Sequence, residues 1–348
     1  MRTALRTLAS LVRAPNPLSV SSSPRSFFRT MAATTTAHAP VLKQPVRLAC
    51  VQLNATADKA DNLRRAHDRV LESARNGAKI VVLPECFNGV YGCAHFPKYA
   101  EELLPSPPTR EQSPSFHALS AVAREAGVYL IAGSIPELVV AEEEEEGAAE
   151  AKKRYYNTSL TFDPSGSLIA THRKVHLFDI DIPGKFTFRE SDVLSPGNKL
   201  TVVDLPEYGK VGVAICYDIR FTEMALVAAR RGAFALVYPG AFNLTTGPLH
   251  WRLQGQARAM DNQLYVALCS PARDMASDFH AYGHSMVVDP MAQVLAEAGE
   301  AEDIVYADLT GDKIEETRRS IPLRDQRRFD LYPDIAAGKI QFEDPELK

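Results

Sequence analysis

The stretch Lys210-Val-Gly-Val-Ala-Ile-Cys-Tyr-Asp-Ile-Arg-Phe221 constrains the fold more than any other part of this chain. Val211–Ile215 carries no polar side chain and reads as a buried strand that stops abruptly on Cys216. Phe221, Met224, Ala225 and Ala228 then fall on one face of a helical pattern. A strand, a tight turn and a helix start put the Cys216 side chain at the carboxyl edge of a sheet, where open α/β sheets gather their chemistry. The amino terminus of the following helix would favour a thiolate over a thiol. A free cysteine also serves simply as a small buried hydrophobe. This stretch alone leaves both roles open.

The remainder of the chain alternates strand and helix patterns. Val46–Leu53 (VRLACVQL) is a β-rich run, and Asp61–Asn76 spaces Leu63, Ala66, Val70, Leu71 and Ala74 as a helix that ends at Asn76-Gly77. Lys79–Leu83 is a continuous apolar strand halted by Pro84, with Glu85 next. A strand–helix–strand series of this size is a βαβ unit with a parallel pair. A helix over Ser115–Ala126 and a strand over Val128–Gly133 follow. Tyr155–Phe162 and Leu168–Lys174 flank Asp163-Pro164-Ser165-Gly166 as a hairpin, and Leu200–Leu205 pairs with Val211–Ile215 across Glu207-Tyr208-Gly209. Further elements are expected at 221–231, 235–238, 250–262, 264–268, 285–296, 304–309 and 313–319.

Three stretches resist regular structure. The acidic, low-complexity run at 142–154 predicts a solvated loop between two strands. Residues 176–196, with Pro183-Gly184, predict a long irregular loop, and loops of that length inside a compact domain are usually functional. Beyond Pro322 the charged tail is expected on the surface or against a neighbouring chain. No repeat, Walker loop or G-x-G-x-x-G turn interrupts the pattern, which predicts one domain over 44–335, a leader over 1–43 and a tail over 336–348.

Composition narrows the classes. A net charge of −4 in 348 residues gives no reason to expect nucleic acid or an anionic membrane as partner. No apolar run approaches the ~18 residues that span a bilayer. The five cysteines (Cys50, Cys86, Cys93, Cys216, Cys269) form neither a disulfide framework nor a C-x-x-C pair, which predicts free thiols in a reducing compartment. Met1–Thr36 carries Arg2, Arg6, Arg13, Arg25 and Arg29 among Ser, Thr and Ala, and the first acidic residue is Asp58. That is the composition of an organelle transit peptide, with a plain disordered tail as the alternative. The basic amphipathic spacing from Arg2 to Arg13 predicts a mitochondrial destination, and Met31 could start a shorter cytoplasmic form.

Three residues end strand-like runs and complement one another chemically: Glu85 after IVVLP, Lys174 after LIATHR and Cys216 after VGVAI. A thiol nucleophile needs a base that takes its proton and returns it to a leaving amine. A carboxylate does both when a dry site raises its pKa. A lysine ammonium nearby would lower the thiol pKa and stabilise an oxyanion. Taken singly, Glu85 is equally a helix cap, Lys174 a surface charge and Cys216 a core thiol.

The motifs LPECF (83–87), HRKVHLFD (172–179) and ICYDIRF (215–221) resemble, in content and order, the Glu, Lys and Cys motifs of the nitrilase superfamily, over about Val46 to Tyr332. The resemblance implies a four-layer α-β-β-α sandwich, an α/β fold, usually paired into homodimers through helices. It also implies roles: Glu85 as general base, Cys216 as nucleophile, Lys174 with the backbone N–H of Tyr217 as oxyanion donors, and Glu190 in FRES orienting Lys174 or relaying protons. No cofactor and no metal are implied, and no histidine shows ligand spacing.

Cys216-Tyr217-Asp218 is similar to the amidase branches rather than to true nitrilases, which show Cys-Trp-Glu there. FDIDIPGKFTFRES (178–191), YPGAFNLTTGPLHW (238–251) and SPARD (270–274) resemble the omega-amidase branch. That implies small-molecule partners, the omega-amides of dicarboxylic acids such as 2-oxoglutaramate and 2-oxosuccinamate. They would be hydrolysed through a cysteine thioester to ammonia and the dicarboxylate. Arg220 is the strongest candidate for the distal carboxylate, with a structural salt bridge as its other reading; Tyr91, Thr245 and Thr246 are weaker candidates, and Phe221 is either substrate contact or core. The alternatives are an amidase acting on deaminated glutathione and a non-catalytic scaffold that keeps the fold. The chain departs from the family pattern at Arg252, where an acid is usual, at Gly255 inside a helix, and in the long insertion at 142–154.

Overall fold

The computed structural model describes residues 40–141 and 152–337. Residues 1–39, most of the acidic insertion and the last residues of the tail lie outside the described residues; Leu42, expected in the leader, instead bridges to Gly209 and is buried in the core, so the folded domain begins before residue 44.

The first half runs β1 (Val46–Gln52), α1 (Lys59–Arg75), β2 (Ile80–Val82), a single turn α2 (Phe96–Tyr99), β3 (Glu101–Glu102), α3 (Pro114–Ala126), β4 (Tyr129–Ile131), β5 (Ile135–Ala141), β6 (Lys152–Phe162) and β7 (Leu168–Arg173). A hairpin of β8 (Asp179–Ile182) and β9 (Phe186–Arg189) leads on to the second half. There β10 (Thr201–Leu205), β11 (Gly209–Val213), a 3-10 turn (Cys216–Arg220), α4 (Thr222–Arg230), β12 (Ala233–Pro239), α5 (Gly247–Asn262), β13 (Tyr265–Cys269), β14 (Met286–Val288) and β15 (Val294–Glu297) follow. β16 (Asp303–Leu309) returns to pair antiparallel with β1, and α6 (Gly311–Ser320) comes last. One sheet has the order β16-β1-β2-β4-β6-β5-β3, with β7 on β6, and the other the order β10-β11-β12-β13-β14-β15.

Alternation along the strands makes four layers. Successive side chains point to opposite faces of a strand, so an all-apolar strand must be covered on both sides. Leu48 and Cys50 of β1 and Ile80 and Val82 of β2 meet Val211, Val213, Val237 and Ala267 of the other sheet. Their neighbours Ala49, Val51 and Val81 instead meet Ala66 and Val70 of α1 and Phe116, Leu119 and Val122 of α3. In the second sheet Leu236, Val266 and Leu268 face Ala225 and Ala228 of α4 and Trp251 and Ala259 of α5. The α-β-β-α sandwich expected from the motifs is the observed architecture. Local signals set the helix ends: Asp58 caps α1 by accepting the Asp61 N–H, Ser113 accepts the Phe116 N–H of α3, and Gly127 closes α3 in the left-handed region.

Several expectations need correction. β11 stops at Val213, two residues before the expected end, and the tight turn expected at Cys216 is a 3-10 turn that leads into α4. The stretch 176–196 is not irregular throughout, because β8 and β9 pair across Pro183-Gly184 and Glu190–Asp192 form a further 3-10 turn. Lys152–Arg154 belong to β6, so the strand starts inside the expected loop. Arg252 projects outward and pairs with Glu297, leaving the packing of α5 intact. Gly255 is a requirement of that packing: a Cβ there would lie 2.8 Å from Leu268 Cδ1, so glycine lets α5 settle closely on β13. After Pro322 the charged tail lies on the surface, one of the two places expected for it, with Arg327 donating to the Asp261 carbonyl at 3.1 Å and Arg230 pairing with Asp334 at 2.5 Å.

Candidate active site

Glu85 follows β2 by way of Leu83 and Pro84, and its position is fixed by what lies beneath. Gly133, at φ +57°, passes so close that a Cβ would stand 1.9 Å from the Pro84 carbonyl oxygen. Only glycine accepts both that backbone region and that approach. The Ser134 N–H donates to the Pro84 carbonyl at 3.2 Å and the Ser134 hydroxyl accepts the Cys86 N–H at 3.0 Å, so the chain is held on both sides of Glu85. Its carboxylate is buried at 1 % exposure. Oε1 accepts from Asn157 Nδ2 at 2.8 Å and Lys174 Nζ at 3.0 Å, and Oε2 accepts the Ala241 N–H at 2.8 Å.

Lys174 lies one residue past β7, where the antiparallel β6–β7 pair delivers it to the same point. Nζ is 3.0 Å from Glu85 Oε1 and 2.8 Å from Glu190 Oε1, and none of the three side chains is exposed. Burial by itself would strip the proton from Lys174, but Glu190 and Glu85 outweigh it and lift its pKa well above the ordinary value. The ammonium is permanent. Burial likewise raises the pKa of Glu85, against the pull of Lys174, with Glu190 adding to the rise. Glu190 is itself tied down: Oε1 also accepts from the Tyr91 hydroxyl at 3.1 Å and Oε2 accepts the Phe178 N–H at 2.7 Å.

Cys216 enters from the other sheet. Its φ of +47° is unusual for a residue with a side chain and marks strain at the head of the 3-10 turn. The thiol is within hydrogen-bonding reach of Glu85. Helix-terminus reasoning favours a thiolate, and here the structure corrects it. Burial first, then the Glu85 charge, push the Cys216 pKa well above the ordinary range, and Lys174 only partly opposes them. At rest Cys216 is a thiol close to the Glu85 carboxylate.

Asp218 holds this turn and was not singled out from the sequence, although the motif contains it. It is fully buried and accepts from the Ile215 N–H at 3.0 Å, the His176 N–H at 2.9 Å, His176 Nδ1 at 2.8 Å and His172 Nε2 at 3.2 Å. Burial would raise its pKa, but the two imidazoles and the Ile215 N–H bring it well below the usual carboxylate range. The carboxylate thus ties the cysteine turn to the segment that carries Lys174. Asn157 and the Ala241 N–H were also invisible in the sequence, because nothing local marks a residue whose partner comes from a distant strand end.

Arg220 has no carboxylate partner among the described residues, which removes the salt-bridge reading. Its Nη1 reaches His250 Nδ1 at 3.2 Å, its guanidinium lies over the rings of Phe242 (4.9 Å) and Tyr217 (5.4 Å), and its buried Nε has no partner among the described residues. It is close enough to feel the charge state of Cys216. Tyr91 packs against Phe279 at 4.4 Å and Phe188 at 6.3 Å, so it forms part of an aromatic wall as well as holding Glu190. Phe188 comes from β9, the hairpin that sequence reading left irregular. Phe221 stacks on the His176 ring at 3.5 Å. The Thr245 N–H and the Thr246 N–H and hydroxyl all turn inward to Asn243 Oδ1, at 3.1, 2.9 and 3.1 Å. These bonds organise the loop before α5, and none of them reaches Glu85, Lys174 or Cys216.

A strained thiol, a buried carboxylate with a raised pKa and a fixed ammonium can together carry out acyl transfer. Among the described residues no group of His, Cys, Asp and Glu is arranged to hold a metal ion. Comparison with known proteins points the same way. The family model for carbon-nitrogen hydrolases matches residues 47–319. The chain is 49% identical to the omega-amidase NIT3 of Saccharomyces cerevisiae over 300 residues, 85% of this chain and 98% of that one. It is 51% identical to the omega-amidase NIT2 of Homo sapiens over 286 residues, 82% of this chain and 96% of that one. The crystal structure of S. cerevisiae Nit3, a member of branch 10 of the nitrilase superfamily, superposes with a TM-score of 0.73, covering 83% of this chain and 98% of the other at 46% identity.

A resting thiol makes a direct prediction. Without substrate, alkylation of Cys216 by iodoacetamide near pH 7 should be slower than that of a free cysteine, whose pKa is about 8.5, and should still be rising near pH 9. A rate already level by about pH 7 would mean a preformed thiolate and contradict this account.

Proposed function

The chain belongs to the carbon-nitrogen hydrolase family, the nitrilase superfamily, and from that premise we propose that it is an omega-amidase acting on short dicarboxylic acid omega-amides such as 2-oxoglutaramate and 2-oxosuccinamate. The observation that carries the substrate class is Arg220, a guanidinium in the cysteine turn that has no acidic partner among the described residues. A carboxylate at the far end of the substrate would complete its charge with a charge-assisted pair.

In the proposed cycle Glu85 takes the Cys216 proton as sulfur attacks the amide carbonyl. The oxyanion forms against the Lys174 ammonium and the Tyr217 N–H. Glu85 then gives its proton to the departing nitrogen, ammonia leaves, and a Cys216 thioester remains. Water that loses a proton to Glu85 attacks the thioester carbonyl, and the carboxylate product leaves as the proton returns to the thiol. Glu190, with Tyr91 and Phe178 holding it, keeps Lys174 aimed and supplies the second negative charge that prevents its deprotonation. An ordered charge cluster of this kind reduces the reorganisation needed when charge appears on the substrate.

We also propose that the active form is a homodimer paired through α5. Leu249, Leu253 and Met260 follow one another at spacings of four and seven residues on its outer surface and are 65%, 62% and 54% exposed. Sedimentation should give a mass of two chains that falls to one in Leu253→Glu; a wild-type monomer would refute the pairing.

Ammonia release from a panel of amides tests the function. Turnover of 2-oxoglutaramate is expected, absent in Cys216→Ala, and Arg220→Ala should lower kcat/KM on it by about ten- to a hundredfold while sparing an uncharged amide of the same length. Wild-type failure on 2-oxoglutaramate with turnover of deaminated glutathione would overturn the substrate assignment in favour of the other branch.

A further inference from the structure

The contact between Arg220 Nη1 and His250 Nδ1 at 3.2 Å fixes a protonation state by chemistry alone. A guanidinium offers only donors, so Nδ1 must be the acceptor and the His250 proton must sit on Nε2. The imidazole is then neutral. We propose that neutral His250 is a positioning residue that aims Arg220 at the distal carboxylate of the substrate, and that protonating it releases Arg220 and weakens binding of acid-bearing amides without impairing the chemical step. This rests on the reading of Arg220 as the carboxylate anchor.

Three observations support it. First, the guanidinium is otherwise held only loosely: its faces meet the Phe242 and Tyr217 rings, and its Nε has no partner among the described residues. The backbone beneath is firm, because Arg258 Nε donates to the Ile219 carbonyl at 2.8 Å and Arg258 Nη2 to the Arg220 carbonyl at 3.1 Å. The aim of the side chain therefore depends on His250. Second, His250 is itself rigidly mounted in the first turn of α5. Its N–H donates to the Thr246 carbonyl at 2.9 Å, and the neighbouring Trp251 is buried with Nε1 donating to the His284 carbonyl at 2.7 Å.

Third, the surroundings disfavour an imidazolium. Burial and the facing Arg220 charge both lower the His250 pKa. A cation in the first turn of a helix is also opposed by the helix dipole. Among the described residues no acid compensates. In the 3-10 turn Asp218 is occupied by His172 and His176, and Glu223 on α4 is exposed to solvent. β13 and β14 carry no Asp or Glu, and Glu297 of β15 is shared by Arg252 and His284. Within α5, Arg252 points to Glu297 and Arg258 to the turn. His250 is only partly buried, so a proton can reach it from solvent.

The sign follows. A lowered pKa keeps His250 neutral and Arg220 aimed at neutral pH, and the arrangement is lost as pH falls below the ordinary histidine value of about 6.5. In acid, an imidazolium can no longer accept from Nη1, and two cations face each other.

The test measures kcat and KM separately from about pH 5 to pH 8 on 2-oxoglutaramate and on an uncharged amide of the same length, for wild type, His250→Asn, His250→Phe and Arg220→Ala. An asparagine Oδ1 falls where Nδ1 lies and accepts without titrating. For wild type, KM on 2-oxoglutaramate should rise about tenfold toward low pH, with no matching rise for the uncharged amide. His250→Asn should keep a low KM and lose the acid rise, whereas His250→Phe should show the raised KM at every pH. An acid rise retained in His250→Asn would overturn the proposal. So would a wild-type KM in His250→Phe while Arg220→Ala loses its preference for the acid, a result that leaves the anchor standing. An unchanged substrate preference in Arg220→Ala would instead refute the anchor itself.

Discussion

The buried contact of Lys174 with Glu85 and Glu190 is the constraint on which the rest of this structure depends. One ammonium at 3.0 and 2.8 Å from two carboxylates, all out of contact with water, is costly to assemble and costly to break. Removing one member of such a group leaves an uncompensated charge worth about 3–5 kcal/mol of destabilisation. Each member comes from a different part of the chain. Glu85 follows β2, Lys174 follows β7 and Glu190 opens the 3-10 turn after β9. The charges therefore meet only where the first sheet and the β8–β9 hairpin are in register, and Cys216 comes to them from the second sheet.

The cluster also sets the chemistry. Two carboxylates and one ammonium leave a net negative charge beside the thiol, so burial and Glu85 raise the thiol pKa more than Lys174 lowers it. Glu85, with its own pKa raised by burial, is suited to take that proton and give it back. The ammonium, whose pKa the two carboxylates raise, is the group that meets the oxyanion in the proposed cycle. Asp218 performs the mechanical counterpart. It locks the strained cysteine turn to His172 and His176, which flank Lys174 in sequence, so Cys216 and Lys174 are fixed relative to each other.

Much of this was legible in the sequence, for definite reasons. Strands covered on both faces read as continuous apolar runs, and the residue that ends such a run is conspicuous, as Glu85 and Cys216 are; Lys174 follows the mixed run LIATHR and stands out through the resemblance of HRKVHLFD to a family motif. What escaped was non-local. The thiolate expected at Cys216 followed from a helix terminus, a local feature, while the opposing burial comes from its own sheet and the helices over it, and the Glu85 charge from the other sheet. Asn157 and the Ala241 N–H bind Glu85 from positions 72 and 156 residues away. The β8–β9 hairpin was hidden because its exposed strands alternate Asp and Ile or Phe and Thr over only four residues each. Gly255 looked like a flaw in a helix until Leu268 was seen against it.

The account requires that sulfur of Cys216, and no other atom, carries the acyl group between loss of ammonia and attack by water. Rapid quenching in acid during turnover of 2-oxoglutaramate, followed by intact mass and peptide mapping, measures this directly. The predicted result is a transient increment equal to the substrate less ammonia, confined to the peptide containing Cys216 and absent from Cys216→Ala. An adduct on another residue, or turnover that persists in Cys216→Ala, would contradict it.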